Sequence, residues 1–192
     1  MPWPMSAEPP PDLLRLFVRP IHDAGLPYLA VGSVGSTFYG EPRLTLDVDL
    51  AVALSSAQAI RLATLFSAND FYVPPLETLT EEAGRPRGHW NLIHHGSGLK
   101  ADFYACPEDP FFRWAWENRR TARLEHGDIH YAPAEFIVVG KVGWFAEGGG
   151  DKHVRDIRRM LELAAEPIDQ RRIEAELSRR GLLAAYRQIL SP

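Results

Sequence analysis

The sequence predicts an α/β protein of the α+β type, with a small mixed sheet, flanking helices and a C-terminal group of helices. Two observations favour this class. Short apolar segments typical of strands alternate with longer segments whose apolar residues recur at helical spacing. In addition, residues 46–52 read Leu-Asp-Val-Asp-Leu-Ala-Val, which places two carboxylates inside an apolar strand. Because carboxylates there need a cation or solvent over them, this strand also indicates a functional site.

Composition narrows the class further. The 192 residues, 45% hydrophobic and 24% charged, suit one compact domain, or a core domain with a small helical annex. No apolar run approaches the roughly 20 residues needed to span a bilayer, and the N-terminus lacks signal-peptide character, so we expect a cytoplasmic protein without a membrane partner. The single cysteine excludes an intramolecular disulfide, and a net charge of -4 does not indicate a nucleic-acid binder.

Helices and strands alternate in the first part of the chain. A glycine followed by a proline ends the first helix, and Ser55 with Ser56 can cap the third. Ala59, Ile60 and Ala63 are expected on the buried face of that third helix. In chain order, we predict a flexible tail over 1–11, a helix over 12–24, a strand over 28–31, a helix over 34–39, a strand over 46–52 and a helix over 55–66.

The remaining elements follow from the same signals. Residues 74–88 carry three prolines, three glutamates and no clear period, so we predict a mobile loop there. The other predicted elements are strands over 71–73, 90–94, 99–106, 121–125 and 128–131, and helices over 110–118, 134–146 and 151–165. We divide the chain into the tail, a core over 12–132 and a helical subdomain over 133–192.

Asp47 and Asp49 form the first candidate site. Side chains at i and i+2 of a strand point to the same face, about 6.6 Å apart, so the two aspartates share one face while Leu46, Val48 and Leu50 share the other. Two neighbouring carboxylates repel each other, and a divalent cation removes that cost. Carboxylates with few other protein ligands suit Mg²⁺, which shares its shell with substrate phosphates.

Gly32 and Ser33 form the second candidate site. They follow an apolar strand and precede a helix, so unpaired backbone N–H groups and the positive end of a helix dipole lie there. Glycine lets a phosphate approach the backbone closely. A phosphate cradle beside a two-aspartate metal site predicts nucleotide chemistry.

These motifs resemble a known superfamily. A hydrophobic residue with Gly32-Ser33, thirteen further residues and then Asp47-Val-Asp49 is similar to the signature of the DNA polymerase beta-like nucleotidyltransferases. The tract from Arg43 to Leu50 resembles the R-x-[ST]-x-D-[IV]-D-L segment of the abortive-infection type nucleotidyltransferase toxins and related uncharacterised bacterial proteins. Those families more often carry Gly-Gly at the turn. A second register, starting at Gly35, fits a looser spacing.

The resemblance implies a minimal nucleotidyltransferase core and a set of site residues. Asp47 and Asp49 would hold two Mg²⁺ ions together with a third carboxylate, for which Asp102 is the candidate in Lys100-Ala-Asp-Phe-Tyr. Asp102 would also take the proton of the incoming hydroxyl, so all three aspartates are predicted as catalytic and metal-binding. The alternative interpretation is a buried aspartate that pairs with Lys100 or caps a turn.

The predicted nucleotide-binding residues extend beyond the cradle. Gly32 and Ser33 would hold the β- and γ-phosphates, and Arg43 or Lys141 would offset their charge. The segment from Lys141 to Asp156 is similar to the K-x-x-x-x-x-R-x-K-D-[IL] tract of the toxin-like enzymes, in which a lysine and a later aspartate lie near the nucleotide. A glycine run lengthens the gap between them in this chain.

The predicted function is transfer of a nucleoside monophosphate from an NTP to an acceptor hydroxyl on RNA such as tRNA, on protein or on a small molecule. The resemblance adds a toxin role with an antitoxin partner. One alternative is a non-catalytic protein of the same fold that binds a nucleotide, RNA or a protein. Another is an aminoglycoside-type nucleotidyltransferase, for which Glu77, Glu81 and Glu82 would attract a cationic substrate.

Overall fold

The strands of one mixed sheet position the site. The computed structural model describes residues 12–41, 44–124 and 127–191. Within them, one mixed sheet contains the following strands: β1 Tyr28–Ala30, β2 Asp47–Val52, β3 Phe71–Tyr72, β4 His89–His94, β5 Lys100–Ala105, β6 Arg120–Leu124 and β7 Gly127–Tyr131. Their spatial order is β3-β4-β5-β2-β1-β7-β6. The predicted tail lies outside the described residues.

Three of the helices in the described residues begin at a residue whose side chain caps the first turn. Ser55 and Gln58 form a capping box, and the side chains of Asp109 and Asp169 accept hydrogen bonds from the first turns of their helices. A π-helical segment, Leu14–Val18, runs into the first α-helix. The α-helices are α1 Arg19–Asp23, α2 Gly32–Tyr39, α3 Ser56–Thr64, α4 Leu76–Gly84, α5 Pro110–Glu117, α6 Ala134–Ala146, α7 Asp151–Leu163, α8 Gln170–Arg179 and α9 Leu183–Leu190.

The direction of the central strands explains how distant residues meet. β2 runs antiparallel to β1 and parallel to β5, whereas β4 and β5 form an antiparallel hairpin. A parallel pair needs a long crossover, and α3, β3, α4 and β4 lie between β2 and β5 in the chain. The carboxylate strand β2 therefore lies at the centre of the sheet, with β5 beside it.

Each sheet face has its own apolar core. Tyr28, Val48 and Leu50 pack with the helices before β5, and Leu29 and Ala51 pack with helices α5 to α9. This division follows from strand alternation, because successive side chains point to opposite faces. Asp47 and Asp49 lie on the same face as Ala51. The helices after residue 133 thus pack on the carboxylate face, while their status as a separate subdomain stays a prediction.

The predicted α/β class with a mixed sheet is confirmed, as are both hairpins and the bounds of α6. Helix α2 begins at Gly32 rather than at residue 34. Two residues depart from the predicted strand and helix faces. Leu46 is 77% exposed because it precedes the first residue of β2, and Ile60 is exposed because α3 buries Ala59, Leu62 and Ala63 instead.

The predicted mobile loop over 74–88 is also wrong, because most of it forms helix α4. Leu79 and Ala83, four residues apart, are buried on one face of this helix, which packs against α3. The prolines fall outside it: Pro75 is the N-cap residue and Pro86 follows the end. Proline is tolerated at these places, so its abundance does not indicate a loop here.

None of the helices in residues 12–41, 44–124 and 127–191 has both the length and the apolar composition that crossing a bilayer requires.

We expect Leu79→Ala to lower the free energy of unfolding by about 2–5 kcal/mol, because it removes a fully buried side chain from the contact between α4 and the sheet. Leu76→Ala, at a half-exposed position of the same helix, should cost less than about 1 kcal/mol. Urea unfolding measures both values. Equal small effects would contradict a packed α4.

Candidate active site

Four charged residues share one face of β2 and β5. The parallel register places Asp47 beside Lys100 and Asp49 beside Asp102. Because both strands alternate with the same parity, all four side chains project to the face that carries Ala51. The structure therefore brings together the three aspartates predicted from sequence, although Asp102 lies more than fifty residues after Asp49.

The start of helix α2 lies against Asp49. The Ser33 N–H donates to Asp49 Oδ2 at 3.4 Å, and the Val31 N–H donates to the Asp49 carbonyl at 2.9 Å. Gly32 has a φ of +55°, and a Cβ on it would lie 1.7 Å from Asp49 Oδ2. No side chain larger than hydrogen fits there. The chain thus requires glycine at the point where the positive end of the helix meets the carboxylate.

The alternative register, Gly35-Ser36, lies one turn inside α2. Gly35 packs under Ile137 of α6, where a Cβ would lie 2.9 Å from Ile137 Cδ1. Ser36 is buried and donates its hydroxyl to the Ser33 carbonyl. Gly35 and Ser36 therefore serve packing inside the protein. Gly32 and Ser33, which form the first turn of α2, are the residues that lie at the helix N-terminus.

Negative charge accumulates around Asp49. Burial raises the pKa of this carboxyl, the charges of Asp47 and Asp102 raise it further, and hydrogen bonds from Ser33 and Tyr104 oppose the shift. Asp47 accepts a hydrogen bond from the Thr45 hydroxyl at 2.5 Å. The ionised form of Asp49 is therefore disfavoured until positive charge arrives, which is the electrostatic condition of a cation site.

Asp102 has its own partners. Lys100 Nζ donates to Asp102 Oδ2 at 2.7 Å, and His89 Nε2 lies 3.1 Å from Asp102 Oδ1. The hydrogen bond to Asp102 is the main cause that raises the pKa of Lys100. Asp102 is therefore the partner of Lys100, as the alternative interpretation predicted. It also lies beside Asp49, where the third carboxylate is predicted.

Aromatic side chains border the carboxylates. Tyr104 donates its hydroxyl to Asp49 Oδ1 at 3.2 Å, and its ring stacks on His89 with centroids 4.9 Å apart. Burial, followed by the charges of Asp49 and Asp102, raises the pKa of Tyr104. Trp144 of α6 meets the Tyr104 ring edge to face at 5.3 Å and is 44% exposed. The site therefore has an aromatic wall with one open surface.

Sequence reasoning missed His89, Tyr104 and Trp144 as site residues. Tyr104 follows Asp102 by two residues, so the two-residue strand period was a signal for it. His89 needed the hairpin register, which pairs His89 with Tyr104, and Trp144 needed the packing of α6. The Arg87–Glu147 ion pair also joins the segment before β4 to the end of α6.

Lys141 and Asp156, predicted near the nucleotide, form a buried ion pair of 2.7 Å between α6 and α7. Both of these helices pack against α2, whose first turn is the predicted phosphate cradle. The pair therefore ties together the two helices behind α2, and a role of either residue in nucleotide binding stays a prediction. Arg43 lies outside the described residues.

The donor set suits a hard divalent ion. Asp47 and Asp49 offer carboxylate oxygens on one strand face. Burial, followed by the charges of Asp47 and Asp102, raises the pKa of Asp49, so a bound cation would stabilise its ionised form. In the parts of the chain that the structure describes, no three histidine, cysteine, aspartate or glutamate side chains converge closely enough to hold a metal together. The Mg²⁺ prediction therefore depends on Asp47 and Asp49, completed by water or phosphate oxygens.

Comparisons with solved structures identify the fold of the chain. The crystal structure of ANT(2'')-Ia in complex with adenylyl-2''-tobramycin is similar at 14% identity, with a TM-score of 0.58 and coverage of 93% of this chain and 97% of that one. The solution structure of this antibiotic-resistance factor gives a TM-score of 0.54, 14% identity and coverage of 92% and 90%.

An antigenic nucleotidyltransferase-like protein from Paracoccidioides brasiliensis is similar at 17% identity, with a TM-score of 0.52 and coverage of 92% and 93%. No family model and no curated protein sequence matches the chain. Identities this low establish the fold alone. The chain thus has the nucleotidyltransferase fold, as the sequence resemblance implied, whereas closeness to abortive-infection toxins stays a prediction.

We expect Gly32→Ala to destabilise the protein more than Gly25→Ala. Both glycines have a positive φ, which costs an alanine about 1–2 kcal/mol, but only the Cβ at residue 32 would collide with Asp49. Nothing lies within 4 Å of a Cβ at residue 25. Chemical unfolding of both variants gives the comparison, and equal losses would contradict the close approach of Asp49 to Gly32.

Asp49→Asn should stabilise the metal-free protein at neutral pH. Because the pKa of Asp49 is raised in the folded state above its ordinary value of 3.8, its ionised form weakens the fold once the pH exceeds that value. The asparagine should raise the free energy of unfolding at about pH 7, and the gain should shrink toward about pH 4.

Unfolding in EDTA across this pH range measures the effect. Asp70→Asn is the matched control, since it removes the same charge at an exposed position. A stabilisation by Asp49→Asn that does not depend on pH would contradict the electrostatic origin.

Proposed function

We propose that the protein is a Mg²⁺-dependent nucleotidyltransferase that moves a nucleoside monophosphate from an NTP to an acceptor hydroxyl. The observation that supports it most is the position of Asp49, which lies between the first turn of α2 and Asp102. A helix N-terminus binds phosphate and paired carboxylates bind Mg²⁺, so this one residue joins the two halves of an NTP–metal site. The shared fold supports the same activity.

In the proposed complex, the triphosphate lies at the N-terminus of α2. Gly32 leaves room for a phosphate oxygen, and the Ser33 N–H is held only weakly by Asp49 at 3.4 Å, so a phosphate can take over that hydrogen bond. Arg43 or Lys141 offsets the charge of the phosphates. The Lys141–Asp156 pair also holds α6 and α7 behind the helix, which fixes the cradle in position.

Asp47 and Asp49 hold the metal ion. When bound, Mg²⁺ offsets the charge on the phosphate oxygens and stabilises the attacking and leaving oxygens. Thr45 orients Asp47 through its hydroxyl, and Tyr104 orients Asp49 through its own. These hydrogen bonds hold both carboxylates on the open face in the geometry that a rigid ion requires.

Asp102 accepts the proton of the acceptor hydroxyl. The hydroxyl oxygen then bonds to the α-phosphorus, the bond from that phosphorus to the bridging oxygen breaks, and pyrophosphate leaves with the electron pair. Lys100 and His89 contact one oxygen of Asp102 each, which fixes the orientation of the carboxylate. Positioning of the reacting groups contributes most to catalysis of phosphoryl transfer, because the protein itself takes part in little covalent chemistry.

RNA such as tRNA, a protein and a small molecule all remain acceptors within the proposal. A cationic aminoglycoside is a specific candidate, because ANT(2'')-Ia, whose adenylyl-tobramycin complex is known, shares the fold. Helix α4 adds exposed Glu77 and Glu81, and its Glu82 accepts a hydrogen bond from the backbone of His89. Because α4 packs on the sheet face opposite the carboxylates, these acidic residues approach the site only at the start of β4. The alternative to a small-molecule acceptor is the predicted role as a cytoplasmic toxin with an antitoxin partner.

Thermal unfolding with each of the four NTPs, with and without Mg²⁺, tests the site. At 100 times its dissociation constant a ligand adds about 2.7 kcal/mol to stability. For a domain of this size this corresponds to roughly 2–4 °C per kcal/mol. We expect at least one NTP to raise the melting temperature of the wild type only with Mg²⁺, and Asp49→Asn to lose this effect.

The control is Asp70→Asn, which should keep the full Mg²⁺-dependent shift. Transfer from an α-labelled NTP to tRNA or tobramycin then identifies the acceptor, and Asp49→Asn should lose that transfer while remaining folded. A nucleotide shift without transfer to any acceptor would favour the non-catalytic binding protein. Unchanged transfer by Asp49→Asn would contradict the proposed site.

A further inference from the structure

Lys100 occupies an unusual place among the carboxylates. It lies beside Asp47 across the strand pair and two residues before Asp102 on its own strand, so it shares their face. Its ammonium lies 2.7 Å from Asp102 Oδ2. The Lys100 side chain is 36% exposed, whereas that of Asp102 is 6% exposed. The cation is thus on the open side of a carboxylate that is otherwise covered.

Both oxygens of Asp102 already have partners, since His89 Nε2 contacts the other oxygen. A divalent ion that bound to Asp102 would have to displace the ammonium, or else bind a few ångströms from a positive charge that repels it. The situation at Asp49 is different. Its carboxylate accepts hydrogen bonds from the Ser33 N–H and the Tyr104 hydroxyl. Both groups are neutral, so they do not repel a metal ion as the Lys100 ammonium does.

Charge balance agrees with this contrast. With all three carboxylates ionised, Asp47, Asp49 and Asp102 would carry three negative charges, and Lys100 returns one positive charge to the same face. The remaining two negative charges equal the charge of one divalent ion. A buried carboxylate requires a partner, and Lys100 supplies one to Asp102 without any ion.

We propose that Lys100 is a built-in cation that replaces a second metal ion at Asp102, so that the ligands of the protein bind one divalent ion, through Asp47 and Asp49. This inference rests on the proposed function and changes the predicted two-ion site to a one-ion site. Lys100 is then a positioning residue, because its contact with Asp102 Oδ2 holds that carboxylate oriented for the acceptor hydroxyl.

Mn²⁺ titration of the nucleotide-free protein, followed by electron paramagnetic resonance, tests the inference because it counts bound ions without an activity assay. We expect the wild type to bind one Mn²⁺ per chain. Lys100→Met, which keeps the length of the side chain and removes its charge, should bind a second Mn²⁺, or bind the first about tenfold more tightly. Lys100→Arg should behave as the wild type does.

Two further variants separate the local effect from net charge and folding. Arg61→Met removes one positive charge from exposed α3, which packs on the opposite sheet face, and should leave binding unchanged. The double variant Lys100→Met with Asp102→Asn removes both partners of the ion pair, so it leaves no unpaired charge if Lys100→Met alone does not fold. It should bind one Mn²⁺ with nearly wild-type affinity.

Two Mn²⁺ ions in the wild type, or strongly weakened binding by the double variant, would overturn the one-ion site and leave the proposed function in place. Lys100→Met that folds and binds one ion at wild-type affinity would overturn it as well. A wild type that binds no Mn²⁺ would overturn both the inference and the proposed metal site.

Discussion

Repulsion among three carboxylates on one sheet face is the constraint on which the rest of the site depends. Asp47, Asp49 and Asp102 are brought together by a parallel register that the hydrophobic alternation of β2 and β5 enforces, since a shift by one residue would bury the charges. Neighbouring polar and positively charged groups reduce this repulsion. The first turn of α2 contacts Asp49, and Lys100 contacts Asp102.

The arrangement of helices leaves part of this charged face open at Lys100, although Asp102 is buried. The cluster of α5 to α9 covers Leu29 and Ala51, toward one side of the sheet, and α2 crosses near the centre. Beyond Ala51, the face continues through Tyr104 to His89, where stacked rings replace a helix. The opposite face of the same strands is fully apolar and covered, so the protein keeps a rigid core directly beneath the site.

The site also carries a cost in stability, which is typical of functional sites. Asp49 has its pKa raised by burial and by like charges, and Gly32 adopts a positive φ to make room for it. Neither feature helps the chain to fold. Both are useful if a cation and a phosphate arrive, because the binding energy then includes relief of the repulsion. The electrostatic cost at Asp49 and the proposed chemistry therefore have one source.

Local patterns in the sequence were enough to predict several elements and the first candidate site residues. The two-residue period placed Asp47 and Asp49 on one face, the order of strand and helix placed Gly32 and Ser33 at a helix start, and the glycine run after Glu147 marked the end of α6. These features depend on neighbours within a few residues, so a sequence can show them. The same reasoning failed for 74–88, where prolines outside the helix concealed the contact of Leu79 with the core.

Tertiary structure decided how the carboxylates meet and which further side chains surround them. The partnership of Asp49 with Asp102 depends on β5 returning parallel to β2, and the contacts of Asp102 with His89 and of Tyr104 with Trp144 depend on a hairpin register and on helix packing. These residues are far apart in the chain. Their spacing carries no signal, because the free energy that brings them together is spread over the whole apolar core.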